Sequence, residues 1–286
     1  GFQYDIPVGG TMAHSWIQTF PSELEAFRSF ARQYPDNCVL LVDTYNTLES
    51  GIPNAIKVAR ELEKQGKQLK AIRLDSGDLA YFSKKARQLL DNHGLKKVKI
   101  VVSNQLDEYV IRSLMLQNAP VDSFGIGTKL ITGNGSSALD GVYKLSVYDS
   151  TPRMKVSDNI EKTTLTNEKD TIRYFNQDGT FYADGIVLSH EKGTNEIAHP
   201  HFAHKRSKVS GLKSEHILET VVKNGEIVKP EVSAMASAEY ARKRLAQLPE
   251  EHKRIEFPHH YKVGISGDLE ALRDNLFKNI KNRRML

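Results

Sequence analysis

Hydrophobic and polar residues divide the first half of the chain into two alternating kinds of segment. Short apolar runs, such as Val39–Thr44 and Lys99–Val102, predict buried strands. Longer stretches whose apolar residues recur every three or four positions predict amphipathic helices. On these grounds strands are predicted at Val39–Thr44, Lys70–Leu74, Lys99–Val102 and Ser123–Ile126, and helices at Pro21–Gln33, Ile52–Leu62, Asp78–His93 and Leu106–Asn118.

The predicted strands end roughly 25–30 residues apart, which is the length of one βα unit, and successive βα units require parallel strands. Each strand is followed by a small polar cluster. In a closed α/β barrel such strand ends converge on one face, where the active site lies. The four clusters are Asp43-Thr44-Tyr45, Asp75-Ser76-Gly77-Asp78, Ser103-Asn104-Gln105 and Gly125-Ile126-Gly127-Thr128.

The pattern changes after residue 140, where alternating segments and turn signals predict antiparallel strands. We therefore divide the chain into an α/β barrel portion, residues 1–140, and a mixed α+β segment, residues 141–286, that contributes to barrel completion and to a second domain. The strands predicted in the second part are Gly141–Asp149, Thr171–Phe175, Phe181–Leu188 and His216–Val222, and the helices are Ala234–Leu248 and Leu269–Asn282.

Composition narrows the class of protein. The 286 residues include one cysteine, Cys38, which excludes an intrachain disulfide and a zinc site made of several cysteines. Neither a signal-peptide pattern nor an apolar run of membrane-spanning length is present, so a cytoplasmic protein with no membrane role is predicted. The net charge of +5 fits nucleic acid or a phosphate-rich small substrate. Because the basic residues are scattered, a nucleic-acid role rests on the charge alone.

Two further stretches contain residues of the types that bind phosphate or metal ions. Gly9–Trp16 combines two glycines, two hydroxyl groups and His14, which are the groups that a phosphate-holding loop needs. The stretch His199–His204 holds three histidines in the order His-Pro-His-Phe-Ala-His. No cysteine or carboxylate completes a ligand set there at helical spacing, and we predict no metal site formed by protein residues.

An ordered set of four motifs strongly resembles the nicotinate phosphoribosyltransferase family: Gly10-Thr11-Met12-Ala13-His14-Ser15, Val42-Asp43-Thr44-Tyr45, Ile72-Arg73-Leu74-Asp75-Ser76-Gly77-Asp78 and Phe124-Gly125-Ile126-Gly127-Thr128. The resemblance implies an irregular α/β barrel, a second domain split across both chain ends, and a homodimer with its sites at the interface. Family members are longer on the N-terminal side, so this chain is expected to lack the first part of the barrel.

The resemblance also implies a reaction. Nicotinate and phosphoribosyl pyrophosphate give nicotinate mononucleotide and pyrophosphate, and ATP hydrolysis is coupled to this step through a phosphorylated histidine. His14 matches that histidine, Asp43 matches the carboxylate that orients it, and Asp75 resembles the acid near the ribose and the pyridine ring. A neutral imidazole nitrogen is a good nucleophile when a carboxylate holds the proton on the other nitrogen.

The remaining site residues follow from the same resemblance. Arg73 resembles the arginine beside the pyridine ring, and an arginine suits the carboxylate of nicotinate. Magnesium is expected to be held mainly by the substrate phosphates. Thr11 and Ser15 are expected near the histidine-bound phosphate; Ser103, Asn104, Gly127 and Thr128 near the 5′-phosphate; and Lys144, Lys155 and Lys162 near ATP or pyrophosphate.

Two other functions compete with this interpretation. Nicotinamide phosphoribosyltransferase shares the fold and the histidine, although the form Gly-Thr-x-Ala-His-Ser favours the nicotinate enzyme. The abrupt start of the chain is also consistent with an inactive fragment, or with half of a two-chain assembly that has only a binding role. Preference for the amide over the acid would select the first alternative, and a native mass with no partner chain would favour the fragment.

Overall fold

The computed structural model describes residues 1–138, 141–157, 159, 162–202 and 204–283. The contacts between residues divide the chain into two units. One unit is Val8–Asp140, and the other combines Gly1–Pro7 with Gly141–Leu286. The first seven residues thus cluster with the second unit, whereas the sequence pattern groups them with residues 8–140.

The unit Val8–Asp140 is an α/β structure whose four strands are all parallel and lie in the order β1-β2-β3-β4. The predicted α/β class with a parallel sheet is confirmed. Within the described residues β1 and β4 are the outer strands, and closure of the sheet into a barrel is not seen. The strands are β1 (Val39–Leu41), β2 (Ala71–Leu74), β3 (Lys99–Val102) and β4 (Ser123–Phe124), and the helices are α1 (His14–Gln18), α2 (Glu23–Gln33), α3 (Ile52–Lys64), α4 (Leu79–Asn92), α5 (Glu108–Leu116) and α6 (Thr128–Ile131).

Side-chain caps fix where the helices of this unit begin. The hydroxyl of Ser22 accepts a hydrogen bond from the backbone N–H of Glu25 at the start of α2, and Asp78 does the same for Tyr81 at the start of α4. Each bond satisfies a donor that the first helical turn leaves unpaired. Since Asp78 belongs to the polar cluster after β2, the cap also fixes the path of the loop that carries Asp75.

The core of this unit lies between the sheet and its helices. Leu40, Ile72 and Ile100 are fully buried and stand at equivalent positions on adjacent strands. The inward faces of α3 and α4 cover them, with Ala55 and Leu90 among the buried residues. This apolar packing makes the sheet a rigid support for the polar residues at the ends of its strands.

The second unit contains a six-stranded mixed sheet in the order β10-β9-β14-β8-β7-β11. Strand β14 pairs parallel with β8, and the other neighbours in this sheet are antiparallel. Helix α8 packs against it through the buried side chain of Leu269. The elements are β5 (Val147–Tyr148), β6 (Thr151–Pro152), β7 (Lys169–Phe175), β8 (Phe181–Leu188), β9 (Glu196–Ala198), β10 (Arg206–Lys208), β11 (Ser214–His216), β12 (Val222–Lys223), β13 (Glu226–Ile227), α7 (Ala234–Gln247), β14 (Val263–Ser266) and α8 (Gly267–Arg283).

Two strands predicted in this unit were wrong in extent. Of Gly141–Asp149 only Val147–Tyr148 is a strand, because the chain reverses at once through Asp149 and Ser150, which both have positive φ. Of His216–Val222 only the first and last residues are in strands. Strand β7 provides partners for 214–216 alone, and Val222 pairs with Ile227 across the Asn224-Gly225 turn.

Several elements, among them β9, β10, β14 and α1, were not predicted because their patterns are short. Strands β9, β10 and β14 have three or four residues each, too few for a periodicity to be read. Helix α1 has five residues and follows glycines that predict a loop. No helix in the described ranges is both long enough and apolar enough to cross a membrane.

Candidate active site

The carboxyl ends of β1, β2 and β3 bring polar side chains together at one edge of the parallel sheet. Asp43 lies two residues after β1, Asp75 follows β2 directly, and Ser103 follows β3 directly. His14, the first residue of α1, faces the same edge. The predicted convergence of the strand ends is therefore seen in the positions of these four residues, which we call the His14 cluster.

The imidazole of His14 lies between a hydroxyl group and two carboxylates. Its Nδ1 is 3.0 Å from Oγ1 of Thr44. Its Nε2 is 3.6 Å from Oδ2 of Asp75 and 4.0 Å from Oδ1 of Asp43. Because carboxylates only accept hydrogen bonds, their position favours the tautomer that carries its proton on Nε2. The ring is 38% exposed, so a ligand can reach it.

The side chain of Asp43 is almost completely buried, with only 2% of its surface exposed. Its Oδ2 accepts hydrogen bonds from the backbone N–H of Asp75 and from the hydroxyl of Ser76, each at 2.7 Å. Its Oδ1 is buried and has no hydrogen-bond partner among the described residues. Asp43 thus ties the loop after β1 to the loop after β2 and still presents one free oxygen towards His14.

Asp75 forms a second set of hydrogen bonds with Arg73 and Ser103. Its Oδ1 accepts from Nη2 of Arg73 at 2.9 Å and from the hydroxyl of Ser103, which also accepts from Nε of Arg73 at 2.8 Å. Partial burial raises the pKa of Asp75, but the hydrogen bonds from Ser103 and Arg73 and the charges of Arg73 and His14 outweigh this, and the net pKa is lowered. The carboxylate is therefore ionised at neutral pH.

Replacing Ser103 with Ala is expected to raise the pKa of Asp75 towards its ordinary value, because the carboxylate loses a donor. The folded pKa of Asp75 is lower than the unfolded one, so the ionised carboxylate stabilises the fold above about pH 4, and this contribution is lost as pH falls through the folded pKa. The measurement is a carboxyl ¹³C NMR titration of Asp75, with urea unfolding at pH 7 and pH 3. Ser103→Ala should reduce the difference in stability between the two pH values. Ser113→Ala, at an exposed site on α5, should leave both quantities unchanged.

Other predicted site residues stand outside the hydrogen bonds of this cluster. The hydroxyl of Thr11 donates to the carbonyl of Val39 at 2.7 Å, at the start of β1 rather than at its end. Ser15 is exposed on α1. Asn104 continues the chain from Ser103 with a φ of 91°, and Gly127 and Thr128 are exposed at the start of α6.

The loops after β3 and β4 are neighbours, even though no hydrogen bond among the described residues joins the side chain of Asn104 or Thr128 to the cluster. The backbone N–H of Gly125 donates to the carbonyl of Val102 at 2.8 Å. A Cβ on Gly125 would lie 3.2 Å from Cβ of Ser103, which is a tight contact. A glycine at this position therefore lets the loop that leads to Gly127 approach Ser103.

The three predicted lysines, Lys144, Lys155 and Lys162, belong to the second unit and are exposed. The backbone of Lys155 forms two hydrogen bonds with Thr164, at 2.9 and 3.2 Å, which hold together the two ends of the segment that carries Lys162. A role in binding ATP or pyrophosphate stays a prediction for all three.

Sequence reasoning assigned no role to two residues that the structure places at the centre of the site. Thr44 contacts the ring of His14, and Ser76 donates to Asp43. Both residues could have been identified from the sequence, since each is a hydroxyl residue directly after a candidate acid at a strand end. Among the described residues no group of three or more His, Cys, Asp or Glu side chains is arranged to hold a metal ion.

Family models identify the chain. The model described as the "Nicotinate phosphoribosyltransferase (NAPRTase) family" matches residues 2–181, and that of the "Nicotinate phosphoribosyltransferase C-terminal domain" matches residues 168–273. The chain belongs to the nicotinate phosphoribosyltransferase family. The resemblance inferred from the four motifs is thereby confirmed. The His14 cluster lies within the range matched by the first model.

Curated members of the nicotinate phosphoribosyltransferase family match along most of this chain. The nicotinate phosphoribosyltransferase of Bacillus subtilis is 37% identical over 294 aligned residues, which cover 99% of this chain and 59% of the relative. The enzyme of that name from Dictyostelium discoideum is 36% identical over 90% of this chain and 47% of its own length. The human protein is 33% identical over an alignment that covers 90% of this chain and 50% of the human protein. The chain therefore spans about half to three fifths of the length of these relatives.

Solved structures agree with the family assignment at the level of the fold. The crystal structure of human nicotinic acid phosphoribosyltransferase superposes with a TM-score of 0.80 and 26% identity, over 96% of this chain and 63% of that chain. Nicotinate-nucleotide pyrophosphorylase from Pyrococcus furiosus superposes with a TM-score of 0.59 and 24% identity, over 86% of this chain and 56% of that chain. The second match shows a shared fold alone.

Proposed function

We propose that this nicotinate phosphoribosyltransferase family member converts nicotinate and phosphoribosyl pyrophosphate to nicotinate mononucleotide and pyrophosphate, coupled to ATP hydrolysis through phosphorylation of His14. The observation that carries the proposal is the position of the His14 ring, which is accessible and lies between the Thr44 hydroxyl and the carboxylates of Asp43 and Asp75. The names of the curated relatives support the overall reaction.

The phosphorylation step uses the two sides of the His14 ring differently. The carboxylates of Asp43 and Asp75 hold the proton on Nε2, which leaves the lone pair on Nδ1. The lone pair attacks the γ-phosphorus of ATP, the bond from that phosphorus to the bridging oxygen breaks, and ADP leaves with the electron pair. The Thr44 hydroxyl, which donates to Nδ1 before phosphate arrives, moves to the new phosphoryl oxygens.

The glycosyl step is proposed to take place beside Arg73 and Asp75. The pyridine nitrogen of nicotinate attacks C1 of phosphoribosyl pyrophosphate, the bond from C1 to the pyrophosphate oxygen breaks, and pyrophosphate leaves. The carboxylate of Asp75 stabilises the positive charge that develops at C1. Nη1 of Arg73 makes no hydrogen bond to any described residue, so it is free to bind the carboxylate of nicotinate.

The phosphate groups require further partners. Asn104, Gly127 and Thr128 stand on the two adjacent loops and are proposed to bind the 5′-phosphate with Ser103, while Thr11 and Ser15 keep their proposed place near the phosphate on His14. Lys144, Lys155 and Lys162 are proposed to bind ATP or pyrophosphate. Mg²⁺ is proposed to enter with the substrate phosphates, to which it supplies compensating charge.

The proposal also covers the barrel, the oligomeric state of the protein and its location in the cell. The four parallel strands are proposed to be part of an irregular α/β barrel, and the working unit is proposed to be a homodimer in the cytoplasm. The match to chains about twice as long supports the view that further protein surrounds this site.

A comparison of the acid with the amide tests the proposed function. The protein is incubated with phosphoribosyl pyrophosphate, Mg²⁺ and ATP, and with either nicotinate or nicotinamide, and the mononucleotide formed is separated by chromatography. We expect nicotinate to be the better substrate by at least about 100-fold in kcat/KM, because the free N–H of Arg73 pairs with its carboxylate. Equal use of both, or preference for nicotinamide, contradicts the proposal.

A further inference from the structure

A cleft in the second unit contains basic side chains that the proposed reaction does not use. Its volume is about 490 Å³, which lies within the range of small-molecule sites. None of the residues that line it is acidic, and none belongs to the His14 cluster. Lys205, Arg206 and Lys262 line this basic cleft together with His199, His201 and His260.

Two lysines provide the uncompensated charge of the basic cleft. Lys205 stands in the loop between β9 and β10, with Nζ 4.9 Å from the centre of the Phe202 ring. Lys262 directly precedes β14, with Nζ 4.2 Å from the centre of the Tyr182 ring. Neither ammonium group forms an ion pair with a described carboxylate. Since an aromatic face takes only part of the donor capacity of an ammonium group, both lysines can still donate to an anion.

The charge of Arg206 is already balanced, in contrast to that of the lysines. Its guanidinium pairs with Glu196 at 3.2 Å and with Glu270 at 2.8 Å. Arg206 therefore forms a fixed part of the wall, and the positive potential of the basic cleft comes from the two lysines.

His199 adds an oriented neutral donor. Its Nδ1 accepts the backbone N–H groups of His201 and Phe202, at 3.1 and 3.2 Å, so the ring keeps its proton on Nε2. Its pKa is lowered, first by burial and then by charge interactions with His201, Lys205 and His204. The electrostatic part of this effect disfavours a further cation at the ring and so favours an anion.

We propose that the basic cleft binds the polyphosphate group of a small molecule. Phosphate oxygens accept from lysine ammonium groups and imidazole N–H groups, and the cations stand on two different segments of a lining that also includes Ile197, Val263 and Gly264. A bounded cleft suits a compact anion better than a long nucleic acid, which needs a continuous basic surface. The site goes beyond the proposed function, because none of the residues assigned to that reaction lines it.

Titration with inorganic tripolyphosphate, without Mg²⁺, tests the proposal directly. Binding is followed by calorimetry and by the imidazole ¹H–¹⁵N resonances of His199 and His260. We expect these resonances to shift, and the double variant Lys205→Ala/Lys262→Ala to bind at least about tenfold more weakly. The matched control Lys213→Ala/Lys223→Ala removes the same charge at exposed sites of the same unit and should change the dissociation constant less than about twofold.

Several results would overturn the proposal: no binding at millimolar tripolyphosphate, equal weakening by both double variants, or unchanged His199 and His260 resonances. If Lys205→Ala/Lys262→Ala fails to fold, the single variants Lys205→Gln and Lys262→Gln keep the stems on their rings and should each weaken binding. A parallel titration with ATP compares its affinity with that of tripolyphosphate and so shows whether the basic cleft prefers a nucleotide or a purely inorganic ligand. His14→Ala should bind tripolyphosphate in the basic cleft normally, so failure of the proposed reaction would not affect this result.

Discussion

Replacing Asp75 with Asn is expected to lower kcat/KM for nicotinate about 10²- to 10³-fold, mainly through kcat. Asp75 is held in place by Arg73 and Ser103, and its second oxygen faces His14 at 3.6 Å. In the proposed reaction positive charge develops at C1 only in the transition state, so loss of the carboxylate charge would affect the transition state more than the bound substrate. Asn keeps the shape of the side chain and removes this charge.

The measurement is steady-state formation of nicotinate mononucleotide by protein whose thermal unfolding shows an intact fold. Asp36→Asn is the matched control, because Asp36 is an exposed acid that pairs with Lys67. Exposed ion pairs contribute little to stability, and this variant should keep the activity of the parent. An Asp75→Asn protein that folds and retains more than about half of kcat/KM would show that Asp75 is not the stabilising charge.

Replacing Gly51 with Ala is expected to destabilise the unit Val8–Asp140 by about 3 kcal/mol or more. Gly51 ends a π-helical turn, Thr47–Gly51, that leads into α3. A Cβ at this position would lie only 1.7 Å from the carbonyl oxygen of Val42. Backbone atoms cannot rotate away as a side chain can, so either α3 or the end of β1 must move. Since Val42 directly precedes Asp43, relief of the clash also displaces the buried carboxylate.

Urea unfolding and calorimetry measure this effect. A loss of about 3 kcal/mol corresponds to a decrease in Tm of roughly 6–12 °C for a domain of this size class. Gly267→Ala is the matched control, because a Cβ there meets no atom within 4 Å and the residue begins α8. Alanine favours a helix over glycine, so the control should be neutral or slightly stabilising. A Gly51→Ala protein less than about 1 kcal/mol below the parent would contradict the described packing.

Local patterns predicted most of the first unit because each signal has a local physical cause. The Ser22 and Asp78 caps start α2 and α4, and Gly66 and Gly94 follow α3 and α4 with positive φ, as a helix end requires. The second unit depends more on distant partners. Strand β14 exists because β8 and β9 flank it, and a four-residue strand that contains a glycine gives no signal of its own.

The same distinction applies to the His14 cluster. The position of Asp43 and Asp75 at strand ends was predictable, because parallel strands bring their carboxyl ends to one edge. The partners of each side chain were not. Asp43 was expected to orient His14, and its Oδ1 does face Nε2 at 4.0 Å, but its Oδ2 also holds the loop of Asp75, and Thr44 contacts the other ring nitrogen. Which partner each side chain contacts depends on the geometry of the loops to within an ångström. The sequence pattern does not specify that geometry.

The central claim, that His14 accepts a phosphoryl group, is tested most directly by incubation with ATP labelled at the γ-phosphorus. The parent protein should take up label that is stable in alkali and lost in acid, as expected for a phosphorus–nitrogen bond, and His14→Ala should take up none. His190→Ala, which removes an exposed histidine of the second unit, should be labelled like the parent. Equal labelling of His14→Ala and the parent would contradict the assignment of His14 as the phosphate acceptor.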